Sequence, residues 1–575
     1  MRSLLNNLKN NKRVFLKKDT LIYDLIETIL IIGVVLSVLI FILGPVAAVL
    51  KESFMHKGNP DLKNFQYAFS RGGKLLLNSV FSAGLATALT LIFAVCIAVY
   101  GTFSRGLLKK IMPSMLMLTM ISPPFVASLA YITLFGRRGL ITHKLLGLTI
   151  NPYGWHGVVL MQALGSISIA ALIILGTLKS MDGSLIDASS DLGAGHWHTV
   201  KNVVLPAARP GIIAAGFLTF IRCLSDFGTP IIIGGKFNVL ATQAYLEVIS
   251  SSNLPAASAM SVLLLLPALL AFAYYNHSIK SLKLHGGSNT KSQLREASLR
   301  LDGPIGFALK LICWLYIGAM LAQYGSILLS AVSYYRGGSI VFTLEYVKAM
   351  RYGKLRSFFR SLWYSFVAGI TAGLLGNLFA YYTVKRRIWG SKLLDFAASL
   401  PYIIPGTFFG IGYILAFRNY PLKLTGTGMI VLLNCIFRQL PTASKAASSV
   451  LVGINPDLEN GARDLGAPKL LALKDIVFPL LRPAFAVSFI NTFTATMTTV
   501  GAIIFIISPS AKLATVEMFD TLRNGDYGVG AVIANMIIYS TLIINILFSR
   551  FVLKEKSVKG VMSNVSSDKR FGQAL

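Results

Sequence analysis

Long apolar runs alternate with short polar, mostly basic stretches along the whole chain. Six runs occupy the first half, at 25–50, 76–100, 111–135, 155–178, 211–234 and 254–275. Six more follow at 304–332, 362–384, 393–417, 429–451, 484–508 and 529–551. Each can cross about 30 Å of hydrocarbon as a helix, so the pattern predicts an all-α polytopic membrane protein of about 12 transmembrane helices. Residues 1–20 carry Lys9, Lys12, Arg13, Lys17 and Lys18. The first run is longer than a secretory-signal core and reads as a span with its N-terminus inside. The expected divisions are a basic tail 1–20, a first half 21–279, a linker 280–303, a second half 304–552 and a tail 553–575.

Two polar islands break this pattern, one between the fourth and fifth run of each half. They match without a gap at an offset of 273: Leu185/Leu458, Asp191/Asp464, Leu192/Leu465, Gly193/Gly466, Ala194/Ala467, Lys201/Lys474, Val204/Val477, Pro206/Pro479, Arg209/Arg482 and Pro210/Pro483. A self-match over so long a period indicates a duplicated half-protein. Each copy, 180–210 and 453–483, reads as a short helix, a break, a second helix and a stop. Asp182 and Asn455 suit N-caps, Gly193 and Gly466 suit a left-handed or close-approach position, and the prolines of Leu205-Pro206 and Phe478-Pro479 are expected to end the second helix. Leu185, Ala188 and Leu192 share a face too short to form a core. Pro123 and Tyr131 recur as Pro405 and Tyr413 at an offset of 282, which implies a short insertion. An even number of spans per half makes the repeats parallel, related by an axis along the membrane normal.

The paired islands resemble the EAA loop of ABC importer permeases, whose pattern is Glu-Ala-Ala, three residues, Gly, nine residues, a hydrophobic residue, one residue, Leu-Pro. Here Asp187-Ala188-Ser189 and Asn460-Gly461-Ala462 open the motif, so the leading Glu is absent from both. The Gly, its spacing to the hydrophobic residue and the Pro are kept in both, as Gly193 and Pro206 and as Gly466 and Pro479, with Leu205 before the proline in one copy and Phe478 in the other. The resemblance implies two tandem six-helix permease halves of the type I, methionine-importer-like fold, with these residues coupling to a cytoplasmic ATPase. The alternative is a pair of ordinary amphipathic loops, which leaves the in-register repeat unexplained.

Composition narrows the reading further. The 575 residues are 54% hydrophobic and 13% charged, against roughly 25% charged in soluble domains. A net charge of +31 raises nucleic acid as a partner, but the basic residues lie between apolar runs. Positive loops on the inside and anionic headgroups explain it better. Residues 346–360 place five basic groups in an expected outer loop, so the charge rule supports the orientation without fixing it. Cys96, Cys223, Cys313 and Cys435 lie in apolar stretches without metal or disulfide spacing. Gly73-Lys74, Gly235-Lys236 and Gly353-Lys354 lack the Ser or Thr of a phosphate-binding loop, and no catalytic signature occurs, so the chain reads as a non-enzyme with no cofactor of its own. His196 and His198 suit either a metal or a loop surface.

Charges inside spans are costly and mark functional candidates. Arg222 and Asp226, spaced i, i+4, suit either a structural ion pair or a solute path, with Gly228 beside them and Thr499 and Gly501 at the corresponding place in the second half. Arg438 lies near a helix end and can snorkel. The Asp226-Phe227-Gly228-Thr229 stretch, followed by GGKFNVLATQAY at 234–245, is similar to the two-half permeases of the ferric iron import family. That resemblance implies a bacterial inner-membrane permease with both termini cytoplasmic, in which one fused chain replaces a permease dimer. It implies two copies of an ABC ATPase holding ATP and Mg, and an extracytoplasmic solute-binding protein. Ferric iron is the expected solute, with a phosphonate, a sugar phosphate, thiamine or a polyamine as alternatives. An ion-driven secondary transporter would also have twelve spans and repeats, but gives no reason for two matched loops. A membrane-embedded enzyme lacks a catalytic constellation.

Overall fold

The computed structural model describes residues 22–285, 301 and 303–553, apart from 57–58, 105, 138, 149–150, 337–338 and 352. Both expected tails and most of the 280–303 linker lie outside the described residues. The first half consists of α1 (Ile22–Ser53), α2 (Lys63–Phe103), α3 (Leu107–Met120), α4 (Pro124–Phe135), α5 (Trp155–Lys179), α6 (Ser184–Asp191), α7 (His196–Leu224), α8 (Gly228–Ile233), α9 (Leu240–Ile249) and α10 (Leu254–His285). The second half repeats the series as α11 (Gly303–Val332), α12 (Lys354–Lys385), α13 (Ser391–Ile403), α14 (Gly406–Phe417), α15 (Gly428–Val452), α16 (Asp457–Asp464), α17 (Arg482–Thr498), α18 (Ile503–Ile506), α19 (Ala514–Arg523) and α20 (Tyr527–Leu553). The described strands form two antiparallel hairpins, Met55–His56 with Asn59–Pro60 and Ser333–Arg336 with Ser339–Phe342, each following the first span of its half.

Helices therefore stand at all twelve expected places. Among the described residues eight are long and apolar enough to cross a membrane, or ten if two bent pairs are counted as one span each. The other two are α15, which carries Asn434, Arg438, Gln439 and Lys445, and α17, which has 17 residues. The loop between α4 and α5 covers 136–154 and its counterpart 418–427, and this difference produces the shift of offset from 282 to 273.

Three expectations from the sequence are corrected. The third spans, 111–135 and 393–417, are not continuous: α13 and α14 meet at a bend of 115°. Pro123 and Pro405 stand at the breaks, and Ile404 before Pro405 is extended (ψ 128°), the conformation a following proline favours. The fifth spans do not begin at 211 or run unbroken to 234 and 508. They break at 225–227 and 499–502.

The third correction concerns the prolines of the islands. Pro206 does not end a helix, because α7 runs from His196 through it to Leu224. A wide turn at Val200–Val204 precedes it, with the Leu205 N–H bonded five residues back to the Val200 carbonyl. Widening the turn relieves the clash between a proline ring and the preceding carbonyls. Leu473–Val477 makes the same turn ahead of Pro479, and the chain continues through Phe478–Leu480 into α17.

Each half is built on a three-helix core, α2 with α5 and α7, and α12 with α15 and α17. The first spans then exchange. Helix α1 packs on α14 of the second half, where Tyr413 Oη donates to the Phe41 carbonyl at 2.8 Å and Phe41 stacks on Phe437 at 4.7 Å. Reciprocally, α11 packs on α4, with the Thr133 and Ser330 hydroxyls 3.3 Å apart. One hydrophobic cluster therefore joins residues of both halves.

Candidate functional site

The two islands share the same backbone turns at both ends of their short helices. Asp182 Oδ1 accepts the Ser184 N–H at 3.0 Å, and Asn455 Oδ1 accepts the Asp457 N–H at 3.1 Å, so both expected caps are made. At the other end Gly193 (φ +77°) and Gly466 (φ +89°) are left-handed. Their N–H groups bond to Ser190 and Arg463 at 2.9 and 2.8 Å, and the next residues, Ala194 and Ala467, reach Ser189 and Ala462 at 3.1 and 3.0 Å. This is the Schellman arrangement, which satisfies helix-end carbonyls and turns the chain sharply. A Cβ at either glycine would meet nothing within 4 Å, so backbone conformation rather than crowding selects glycine here.

The short helices display apolar side chains outward. Leu192 is 87% exposed and Leu465 91%, with Leu185 and Leu458 about half exposed. Ala188, Asn460 and Gly461 are exposed, while Asp187, Ser189 and Ala462 are half-buried. Leu205, Pro206 and Phe478 are half-buried and Pro479 is exposed. His196 and His198 are exposed. Matched exposed leucines on left-handed turns make a surface that gains by docking into an apolar groove.

Sequence reasoning missed the group that fixes the second island. Glu459, one residue before the position of the absent Glu, is buried, accepts the Tyr381 hydroxyl at 2.8 Å and pairs with Lys385 at 3.8 Å. Arg386 beside it pairs with Glu27 of α1 at 2.8 Å. The matching residue in the first half is Ile186, 1% exposed, so one inward position is apolar in one half and ionic in the other. There Ser189 and Thr199, whose hydroxyls are 2.9 Å apart, tie α6 to α7.

At the other end of α7 the break is organised by Asp226. Its Oδ1 accepts the N–H groups of Gly228 and Thr229, both at 3.1 Å, and its Oδ2 accepts Gln162 Nε2 at 3.2 Å. No ion pair joins it to Arg222, which is exposed. In the second half Thr499 takes the place of Asp226 and accepts Arg438 Nη1 at 3.2 Å. The fourth helix of each half thus donates to the break in the fifth. Arg438 does not snorkel away, since it lines a small cavity with Asn434, Gln439, Thr496 and Thr499. A Cβ on Gly228 would fall 2.0 Å from the Phe125 ring, whereas Gly501 has open space around it.

Helices α9 and α19 cover this end, each held by a serine hydroxyl that accepts its first N–H: Ser79 for Leu240 and Ser361 for Ala514, both at 2.8 Å. Five buried rings from the two halves meet here. Phe125 lies 5.0 Å from Phe519, Phe227 lies 5.1 Å from Tyr245, and Tyr245 lies 5.9 Å from Phe505.

Comparison with known proteins accounts for the duplication. The family described as "Binding-protein-dependent transport system inner membrane component" matches twice, at residues 86–284 and 366–553. The ferric transport system permease protein FbpB of Actinobacillus pleuropneumoniae is 28% identical, over 91% of this chain and 78% of its own. The putative ferric transport system permease protein FbpB 1 of Haemophilus influenzae is 30% identical, over 76% of this chain and 71% of its own. The thiamine transport system permease protein ThiP of Salmonella typhimurium is 23% identical, over 68% and 70%. Both matched regions contain one island and one broken fifth span, and the chain belongs to the family of binding-protein-dependent transport system inner membrane components.

Proposed function

We propose that this chain is the permease subunit of an ATP-driven ferric iron importer of the bacterial inner membrane. The observation that carries the reading is the pair of matched islands, each presenting an exposed leucine at the end of a rigid helix. The α6 and α16 helices dock on two copies of a cytoplasmic ATPase, which bind ATP and Mg. A solute-binding protein delivers iron at the opposite face. The iron assignment rests on the ferric transport permeases that align over most of the chain.

The test is uptake in proteoliposomes containing this chain, its ATPase and its binding protein loaded with ferric iron. ATP-dependent accumulation of iron, competed by neither thiamine nor a phosphonate, is expected. Accumulation without ATP would instead favour an ion-driven carrier, and thiamine uptake would reassign the solute.

Both termini and both islands lie on the cytoplasmic side in this reading. Single cysteines at Ser190 and Arg463, placed in a chain lacking Cys96, Cys223, Cys313 and Cys435, should resist a membrane-impermeant thiol reagent in intact cells and react once the cells are opened. Labelling of either one from outside would reverse the orientation.

A further inference from the structure

A cavity of about 530 Å³ opens on the side of the first half, between α2 and α7. Leu91, Ile92, Val95 and Cys96 form one wall, and Leu205 and Ile212 the other, with Lys201 and Arg209 also lining it. Ile92 is 60% exposed, as a side chain facing lipid would be. Both cations are exposed, and neither has a hydrogen-bond or ion-pair partner among the described residues. From Lys201 to Ile212 the helix rises about 16 Å, half the thickness of a 30 Å hydrocarbon layer. The groove therefore has the length of one leaflet, on the side of the islands, with Lys201 near the island end of α7 and Arg209 about 12 Å further along, near its middle.

We propose that this groove binds an anionic glycerophospholipid, with an acyl chain along Leu91, Ile92, Val95 and Ile212 and the phosphate between Lys201 and Arg209. An arginine this far along an apolar groove is costly without a counter-charge, and a lipid phosphate, toward which its long side chain can extend, supplies one without removing the apolar wall from its preferred surroundings. The repeat provides a comparison within the same molecule. Lys474 and Arg482 preserve both cations, but Leu91 and Ile212 become Gly373 and Phe485. The Phe485 ring lies where a Cβ on Gly373 would be, at 2.9 Å, and the next turn stacks Phe489 on Phe548 at 4.0 Å. Aromatic side chains thus occupy in the second half the place left open in the first. The ATPase is the competing partner for the cations, since Lys201 lies five residues after His196, where α7 begins.

The full chain, without ATPase or solute, is exchanged in nanodiscs containing equal phosphatidylglycerol and phosphatidylcholine, and the retained lipid is counted by native mass spectrometry. Phosphatidylglycerol should be kept about thirty-fold over phosphatidylcholine, the scale of two basic residues acting on one headgroup. The Lys201→Gln, Arg209→Gln variant should lose that preference while still retaining some lipid. The Leu91→Gly, Ile212→Phe variant, which copies the second half, should lose the retained lipid with both cations intact. Equal retention of the two lipids by the unaltered chain overturns the proposal. So does an unchanged preference in the charge variant, above all if that variant instead loses its ATPase on co-purification. The measurement needs no transport, so its outcome is independent of the solute assignment.

Discussion

A chain carrying Gly193→Trp together with Gly466→Trp should reach the membrane in ordinary amounts and support no ATP-driven uptake. Both positions hold positive φ, and an ordinary side chain there costs about 1–2 kcal/mol. Neither site is crowded, so the strain falls on the turn and leaves the bundle intact. The indole would stand beside Leu192 or Leu465, on the surface assigned to the ATPase. Each single variant should keep part of the uptake, because the other island still docks. Asparagine tolerates the left-handed region, so Gly193→Asn with Gly466→Asn should keep most of the activity and separate backbone strain from bulk. Uptake is measured against the amount of chain in the membrane. Full ATP-driven uptake by the double tryptophan variant would remove the islands from energy coupling.

On the proposed function, the continuity of α7 gives this coupling a mechanical route. As one helix of 29 residues it is about 43 Å long, and it joins the island at His196 to the break at 225–227. A stop at Pro206 would have separated the two ends. The wide turn at Val200–Val204 avoids that, so one unbroken helix connects the island to the point where Asp226 accepts the Gly228 N–H. The exchange of α1 and α11 ties the two halves together, since each first span is packed on its neighbour's third.

Much of this was legible in the sequence. The duplication, the register of the islands, the caps at Asp182 and Asn455 and the turns at Gly193 and Gly466 all depend on local backbone chemistry that residue type reports directly. Pro123 and Pro405 were legible as counterparts but not as breaks, because a proline in an apolar run fits a kink as well as a bend of 115°. Pro206 misled because hydropathy and propensity carry no sign of a π turn. Glu459 was overlooked because the motif register points to Asn460, and its burial depends on Tyr381 and Lys385 from a distant helix. Asp226 and Arg222 have ion-pair spacing, but that spacing assumes a continuous helix, and the helix ends between them at Leu224.

That break decides what Asp226 does, and a double-mutant cycle tests it. Asp226→Leu should lower the thermal midpoint of the chain and abolish uptake, because the Gly228 and Thr229 N–H groups lose their acceptor at about 1–3 kcal/mol each. Asp226→Asn should cost less than Asp226→Leu but not nothing. Its Oδ1 still receives both N–H groups, whereas its Nδ2 faces Gln162 Nε2, which also donates to the Cys223 carbonyl at 3.3 Å, so turning the Gln162 amide to accept Nδ2 would give up that bond. Arg222→Leu should not rescue Asp226→Leu, since no ion pair joins the two side chains and the lost bonds belong to α8. The cycle should therefore give a coupling below about 0.5 kcal/mol, the level of independent sites. Recovery of the thermal midpoint and uptake in the double leucine variant, with a coupling well above that level, would make the pair an ion pair after all and the cap at Gly228 secondary.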